Sequence, residues 1–142
     1  MNQTGKTILT AFDNTAHARR AFEQALHYAH WKNSPLHVLA VIHTPELHED
    51  EARDRIIEKF REQYEQGMAE LRELSEDSPV TVSYEIVVGH PVDVILERIQ
   101  SGTIEHVFMG RRGRKGFFEN LLMGSVSKRI ADFASCTVTI VH

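Results

Sequence analysis

A glycine-rich basic segment is the part of this chain whose residue types and spacing could do chemistry. Residues 110–127 read GRRGRKGFFENLLMGSVS, with four glycines and with hydroxyl groups at Ser125 and Ser127 near the end. Glycines let a backbone come close to a ligand, and free N–H groups at the start of a helix attract phosphate oxygens. The two hydroxyl groups would add donors. The segment therefore predicts a phosphate-binding cradle, although it matches neither GxxxxGK[ST] nor GxGxxG.

The charge distribution favours an anion site at the same segment. Residues 111–129 carry six arginines and lysines against a single acid, Glu119, although the whole chain has a net charge of −4. Residues 46–77 hold twelve acids and five bases. A coat of nucleic acid needs a basic face on the whole domain, so the composition disfavours a nucleic-acid partner. It favours a local site for a small anion.

Length and composition set the expected class of protein. The chain has 142 residues, 42% of them hydrophobic, and one cysteine, Cys136, which excludes an intrachain disulfide. The longest apolar run, residues 36–42, is far shorter than the roughly 20 residues that span a bilayer. The first residues do not match a signal peptide. We expect one domain over residues 1–142, located in the cytoplasm, with no membrane span.

Alternating strands and helices must position the glycine-rich segment. Apolar patterning predicts helices between five strands, at residues 7–12, 36–43, 80–88, 106–110 and 137–141. Right-handed crossovers turn this order into a doubly wound α/β fold, a five-stranded parallel sheet with helices on both faces. Ligands of such folds bind at the carboxyl ends of the strands. The residues at those ends are Asp13, 41–44, Gly89 and the segment from Gly110 onward.

Helical spacing predicts which residues of the longest and the last helix face the core. From about Glu49 to Leu74 one apolar stripe contains Ile56, Phe60, Tyr64, Met68, Leu71 and Leu74. Residues 125–134 place Val126, Ile130 and Phe133 on one face. Both stripes predict amphipathic helices that pack on the sheet.

The pattern of the whole chain resembles the universal stress protein family, in its ATP-binding branch. That family carries G-x2-G-x9-G-[ST] after the fourth strand, and Gly110, Gly113, Gly124 and Ser125 match it with ten intervening residues, 114–123, in place of nine. Its V-P-x-D-G-S at the first strand is similar to TAFDNT at residues 10–15, which keeps the aspartate and replaces the glycine by asparagine. Asparagine also tolerates turn conformations.

The resemblance implies an adenine nucleotide ligand and a sheet of strand order 3-2-1-4-5, as in adenine nucleotide alpha hydrolase-like and flavodoxin-like folds. The nucleotide would be ATP, or AMP or ADP in its place, with Mg²⁺ as an accompanying ion. Asp13 would face the ribose, and the Val41 backbone would meet the adenine. The implied nucleotide-binding residues are Ala11, Phe12, Asp13, Val41, Met109, Gly110, Arg112, Gly113, Gly124, Ser125, Val126 and Ser127.

The resemblance also implies a function, a stress-response sensor whose nucleotide state signals to a regulatory protein. The family typically forms homodimers through the edge of the last strand, here residues 137–142. We expect no catalytic residue and at most weak ATPase activity, because Glu119 is the sole candidate base in the glycine-rich segment and no HxGH motif occurs. Two alternatives stay open: a nucleotide-free dimeric adaptor of the same family, and a slow ATP hydrolase or kinase-like enzyme.

Single residues allow three further interpretations that the sequence does not favour. Asp13 could belong to a phosphoacceptor receiver domain, but Phe12 stands where that domain needs a second acid. His27 and His30 could bind a metal at helical spacing, but no third ligand follows. Cys136 could be a nucleophile, although a cysteine beside a buried strand is more often a small hydrophobe. We therefore expect no metal site.

Overall fold

Strands and helices alternate through the residues that the computed structural model describes, 6–44, 51–111 and 125–142. The strands are β1 (Thr7–Ala11), β2 (Leu36–Ile42), β3 (Val82–Val88), β4 (Ile104–Gly110) and β5 (Thr137–Val141). The helices are α1 (Ala16–Lys32), α2 (Glu51–Leu74), α3 (Pro91–Gln100) and α4 (Ser125–Phe133). Over these ranges, none of the helices combines the length and the apolar composition needed to cross a membrane.

The sheet is parallel and has the strand order β3-β2-β1-β4-β5, which confirms the expected doubly wound fold. The chain moves outward from β1 through β2 to β3, then returns to the other side of β1 to form β4 and β5. The carboxyl ends of β1 and β4 therefore flank the point at which the strand order reverses. Doubly wound sheets bind their ligands at this switch point.

Two apolar layers hold the helices against the sheet. On one face α1 and α2 pack on residues such as Ile8, Val38 and Phe108. On the other face α3 and α4 pack on Leu9, Leu39 and Val107. The side of α1 that meets the sheet is made mostly of small residues, which allows a close approach: Ala18, Ala21, Phe22, Ala25 and Ala29.

The two helical stripes predicted from the sequence are partly wrong at their ends. In α2, Tyr64, Met68 and Leu71 are buried as expected, but Ile56 is 36% exposed and Leu74 is 53% exposed. In α4, Phe133 is 66% exposed, and the buried positions are Ser127 and Ile130. Helical spacing identifies the buried side of a helix but not the length over which a neighbour covers it.

Candidate functional site

The turn after β1 connects Asp13 to the first turn of α1. One carboxylate oxygen of Asp13, Oδ1, accepts hydrogen bonds from the backbone N–H of Thr15, at 3.1 Å, and from its hydroxyl group, at 2.5 Å. The Thr15 hydroxyl oxygen in turn accepts from the N–H of Ala18 at 3.1 Å and caps the helix. Asp13 is thus held beside the partially positive N-terminus of α1, where a negative charge is stabilised.

Asn14 gives this turn its conformation. Its φ of 68° lies in the left-handed region, which asparagine adopts more readily than most residues. Its amide Nδ2 donates a hydrogen bond to the carbonyl oxygen of Gln63, at 3.1 Å, in α2. Asparagine therefore takes the positive φ for which glycine is the usual residue, and it also links the turn to α2.

The end of β4 packs directly against α1. Gly110 has no side chain at a point where a Cβ atom would lie 2.8 Å from His17 Cβ and 3.0 Å from the Ala18 nitrogen. The Ser127 hydroxyl group, in the first turn of α4, donates a hydrogen bond to the Gly110 carbonyl oxygen at 2.8 Å. The first turns of α1 and α4 thus both contact Gly110.

This arrangement suits an anion. Each helix presents N–H groups at its N-terminus, and the helix dipole adds partial positive charge there. Ser125 is the first residue of α4, as a phosphate-binding role requires. Ser127 is only 3% exposed, and its hydroxyl group donates a hydrogen bond to the Gly110 carbonyl oxygen, so it supports the end of β4. The sequence had suggested both serines as donors to phosphate.

The apolar residues of the predicted site divide between the two faces of the sheet. Ala11, Val41 and Met109 belong to the layer that α3 and α4 cover. Phe12 belongs to the opposite layer and is 3% exposed, so only its backbone is available to a ligand. The remaining predicted residues, Arg112, Gly113 and Gly124 together with the ten-residue spacing at 114–123, lie outside the described residues.

His17 lies beside Gly110 in the structure, although the sequence pattern does not place it at the site. Its Nδ1 atom is buried, and within residues 6–44, 51–111 and 125–142 it has no hydrogen-bond partner. A buried polar atom without a partner costs free energy, which a ligand or a bound water would recover. No sequence signal identifies His17, because its position depends on the contact between α1 and the end of β4.

A polar groove of about 470 Å³ borders Asp13 on the side of α2. It separates the first turns of α1 from the middle of α2, and an ion pair between Arg19 and Glu70, at 2.7 Å, crosses it. The groove gives solvent and small polar molecules access to the Asp13 turn. Its lining includes Asp13, Asn14, Arg19, Gln63, Gln66 and Glu70.

Two histidines meet at the neighbouring strand ends. The rings of His43, after β2, and His90, after β3, are edge to face with centroids 4.8 Å apart. Burial lowers the pKa of His43 below its ordinary value, and the nearby His90 lowers it further. The neutral form of His43 is therefore favoured. The two residues are distant in sequence, so patterning alone does not bring them together.

Comparison with known proteins connects this geometry to a family. A protein-family model described as the universal stress protein family matches residues 5–142. The chain is 28% identical over 86 residues to the universal stress protein MJ0531 of Methanocaldococcus jannaschii, covering 61% of the chain and 50% of that relative. It is 30% identical over 129 residues to the universal stress protein A family protein C25B2.10 of Schizosaccharomyces pombe, covering 89% of the chain and 41% of that relative. The chain thus spans about half the length of these two relatives.

Solved structures share the fold. The universal stress protein UspA from Lactobacillus plantarum superposes with a TM-score of 0.82 at 21% identity, covering 99% of this chain and 100% of that one. A universal stress protein from Archaeoglobus fulgidus, in complex with dAMP, has a TM-score of 0.67 at 14% identity, covering 97% and 98%. Another universal stress protein, in complex with cAMP, has a TM-score of 0.63 at 19% identity, covering 96% of this chain and 97% of that one. Because the family model covers residues 5–142, the chain belongs to the universal stress protein family.

Proposed function

We propose that this universal stress protein domain binds an adenine nucleotide at the carboxyl ends of β1 and β4 and acts in the cytoplasm as a nucleotide-dependent regulator. The nucleotide is ATP, or AMP or ADP in its place. One observation carries the proposal: the first turns of α1 and α4 meet at Gly110, and Asp13 accepts hydrogen bonds from Thr15, the N-cap residue of α1. Two converging helix N-termini favour a phosphorylated ligand.

Different residues at the ends of β1 and β4 suit different parts of the nucleotide. Backbone N–H groups of α4, with the Ser125 hydroxyl group, suit the phosphates, and Mg²⁺ would accompany a triphosphate. Asp13 is a hydrogen-bond acceptor suited to ribose hydroxyl groups. The exposed edges of Ala11 and Val41 offer an apolar surface suited to the base. The relatives described in complex with dAMP and cAMP support a nucleotide of this class.

The first experiment identifies the nucleotide that the protein carries. Freshly purified protein is denatured and the released small molecules are examined by mass spectrometry; calorimetric titration of nucleotide-free protein with Mg-ATP follows. We expect near-stoichiometric adenine nucleotide. Replacing Gly124 by leucine should weaken binding at least about tenfold, a loss of about 1.4 kcal/mol, because Gly124 belongs to the family's glycine pattern and glycines let a backbone come close to a ligand.

Gly116→Leu is the matched control for Gly124→Leu, because Gly116 lies in the same segment but outside the family's glycine pattern. It should bind Mg-ATP as the unsubstituted protein does. Absence of both bound nucleotide and binding heat would contradict the proposal and favour a nucleotide-free adaptor. Mg²⁺-dependent turnover that disappears in Asp13→Ala would instead favour a slow hydrolase.

We also propose that the regulator is a homodimer formed through the β5 edge. β5 ends the sheet in the described part of the chain. The Val141 carbonyl oxygen accepts from the Arg111 N–H at 2.7 Å, so the backbone groups of Val141, Thr139 and Thr137 face β4. The N–H groups of Val138 and Ile140 consequently point away from the sheet, toward a partner strand.

Val138→Pro tests the dimer directly. Proline removes an outward N–H group and leaves the bonds between β4 and β5 in place, so we expect a shift from dimer to monomer in sedimentation velocity. Val82→Pro is the matched control, because it removes an outward N–H group from the opposite edge, on β3. A dimer that both variants retain, or one that both lose, would rule out the β5 edge as the interface.

A further inference from the structure

The side chains of Ser83, His37 and Glu85 form a hydrogen-bonded line across β2 and β3. Ser83 is the second residue of β3, so the line begins near the amino end of that strand. The register between β2 and β3 pairs His37 with Ser83, and Glu85 lies two residues further on the same face. His37 Nδ1 is 2.6 Å from Ser83 Oγ. His37 Nε2 is 2.8 Å from Glu85 Oε1. The line therefore contains the three residue types of a serine-hydrolase triad.

Glu85 determines which nitrogen of His37 carries the proton. Arg98, from α3, donates to both carboxylate oxygens of Glu85 at 2.6 and 2.8 Å. The hydrogen bond from Arg98, with a smaller contribution from His37, lowers the pKa of Glu85 to about 2, so the carboxylate is ionised at neutral pH. An ionised carboxylate only accepts, so Nε2 must donate the proton to it. When the His37 ring carries a single proton, Nδ1 is then left to accept a hydrogen bond from the Ser83 hydroxyl group.

The surroundings of Ser83 allow a reactant to approach. Ser83 is exposed, and β3 pairs with β2 alone among the described strands. The Gly89 N–H donates to Ile42 and the Thr81 carbonyl accepts from Leu36, so odd-numbered residues of β3 direct their backbone groups toward β2. The N–H of Tyr84, next to Ser83, consequently points out from the open edge. A backbone donor beside the nucleophile can stabilise an oxyanion.

We propose that Ser83, His37 and Glu85 form a hydrolytic site for short activated acyl esters. The Ser83 oxygen attacks the ester carbonyl carbon and forms a new C–O bond, while its proton passes to Nδ1 of His37. The bond to the alcohol breaks, and the alcohol leaves with that proton. Water then attacks the acyl-serine, His37 takes a proton from it and returns it to Ser83, and the carboxylic acid is released.

The first test uses the unsubstituted full chain, so it does not depend on any variant that folds poorly. The protein is incubated with a fluorophosphonate probe and separately with p-nitrophenyl acetate, and peptides are mapped by mass spectrometry. We expect both reagents to label Ser83. We also expect release of p-nitrophenol about 10²-fold faster than from Ser83→Ala, the lower end of what a positioned general base contributes.

Variants separate the proposed roles. His37→Gln keeps a polar side chain but removes the base, so labelling of Ser83 should fall to the Ser83→Ala background. Ser135→Ala removes another exposed serine, one between α4 and β5 and away from β3, and should change nothing. Labelling absent from Ser83, or unchanged in His37→Gln, would overturn the proposal and leave the line as a structural link between β2, β3 and α3.

Discussion

Gly110→Ala is expected to destabilise the fold and to weaken nucleotide binding in the same variant. The added Cβ would lie 2.8 Å from His17 Cβ and 3.0 Å from the Ala18 nitrogen. These atoms belong to or adjoin the backbone of α1, so they cannot rotate out of the way. Overpacking of this kind costs about 1–3 kcal/mol. The strain moves the first turn of α1 away from β4, and with it the Asp13 turn.

Urea unfolding monitored by circular dichroism measures the loss of stability, and calorimetry with Mg-ATP measures the loss of affinity. Gly89→Ala is the matched control: it makes the same change at the end of β3, where the new Cβ would meet only a Val94 methyl group at 3.0 Å. We expect it to be the milder substitution. Equal losses of unfolding free energy in Gly110→Ala and Gly89→Ala would show that α1 and β4 are not tightly packed at Gly110.

Gly67→Ala is expected to destabilise the protein, opposite to the usual effect of this change in a helix. Alanine in place of glycine in a helix interior normally stabilises by about 1 kcal/mol. Here the added Cβ would lie 1.9 Å from Asn14 Oδ1 and 2.9 Å from Phe12 Cε2. Asn14 is held by its bond to Gln63, and Phe12 is buried in the core. We expect a net loss of about 1–3 kcal/mol in the free energy of unfolding.

A double-mutant cycle with Asn14→Gly identifies the cause of that loss. Glycine accepts the φ of 68° and removes the oxygen that the new Cβ would meet. Asn14→Gly alone loses the hydrogen bond to Gln63, so it should be mildly destabilising. The double variant should lose less free energy of unfolding than the two single variants lose together, because the effects of neighbouring changes are not additive. Strict additivity would assign the loss to Phe12 instead.

The sequence predicted the layers of the fold because they depend on local patterns. Val82, Tyr84 and Ile86 alternate with more polar residues, a pattern typical of a half-exposed edge strand, and β3 lies at the edge of the sheet. The near-continuous apolar run of β2 is typical of a strand covered on both faces, and most of its residues are buried. Strand order came from the resemblance to a family, and the sheet confirms it.

Contacts between distant residues were not predictable in this way. Helical spacing placed Phe133 in the core, but Phe133 is 66% exposed, and the buried residues of α4 are Ser127 and Ile130. His37 and Ser83 are 46 residues apart, and only the register of two parallel strands brings them together. His17 joins the site through its contact with Gly110. Pairings of this kind depend on the three-dimensional arrangement, which no local pattern contains.

The hydrogen bond from the Arg111 N–H to the Val141 carbonyl oxygen connects the residue that follows β4 to the last residue of β5. Adjacent strands lie about 4.8 Å apart, so the end of β4 that is proposed to bind the nucleotide and the outer edge of β5 are direct neighbours. Two equilibria that share one rigid element have a coupling free energy, and the coupling acts equally in both directions. If an adenine nucleotide strengthens self-association about tenfold, self-association strengthens nucleotide binding by the same factor. Apparent nucleotide affinity would then rise with protein concentration, so a change in the abundance of the protein would itself alter its response to the nucleotide.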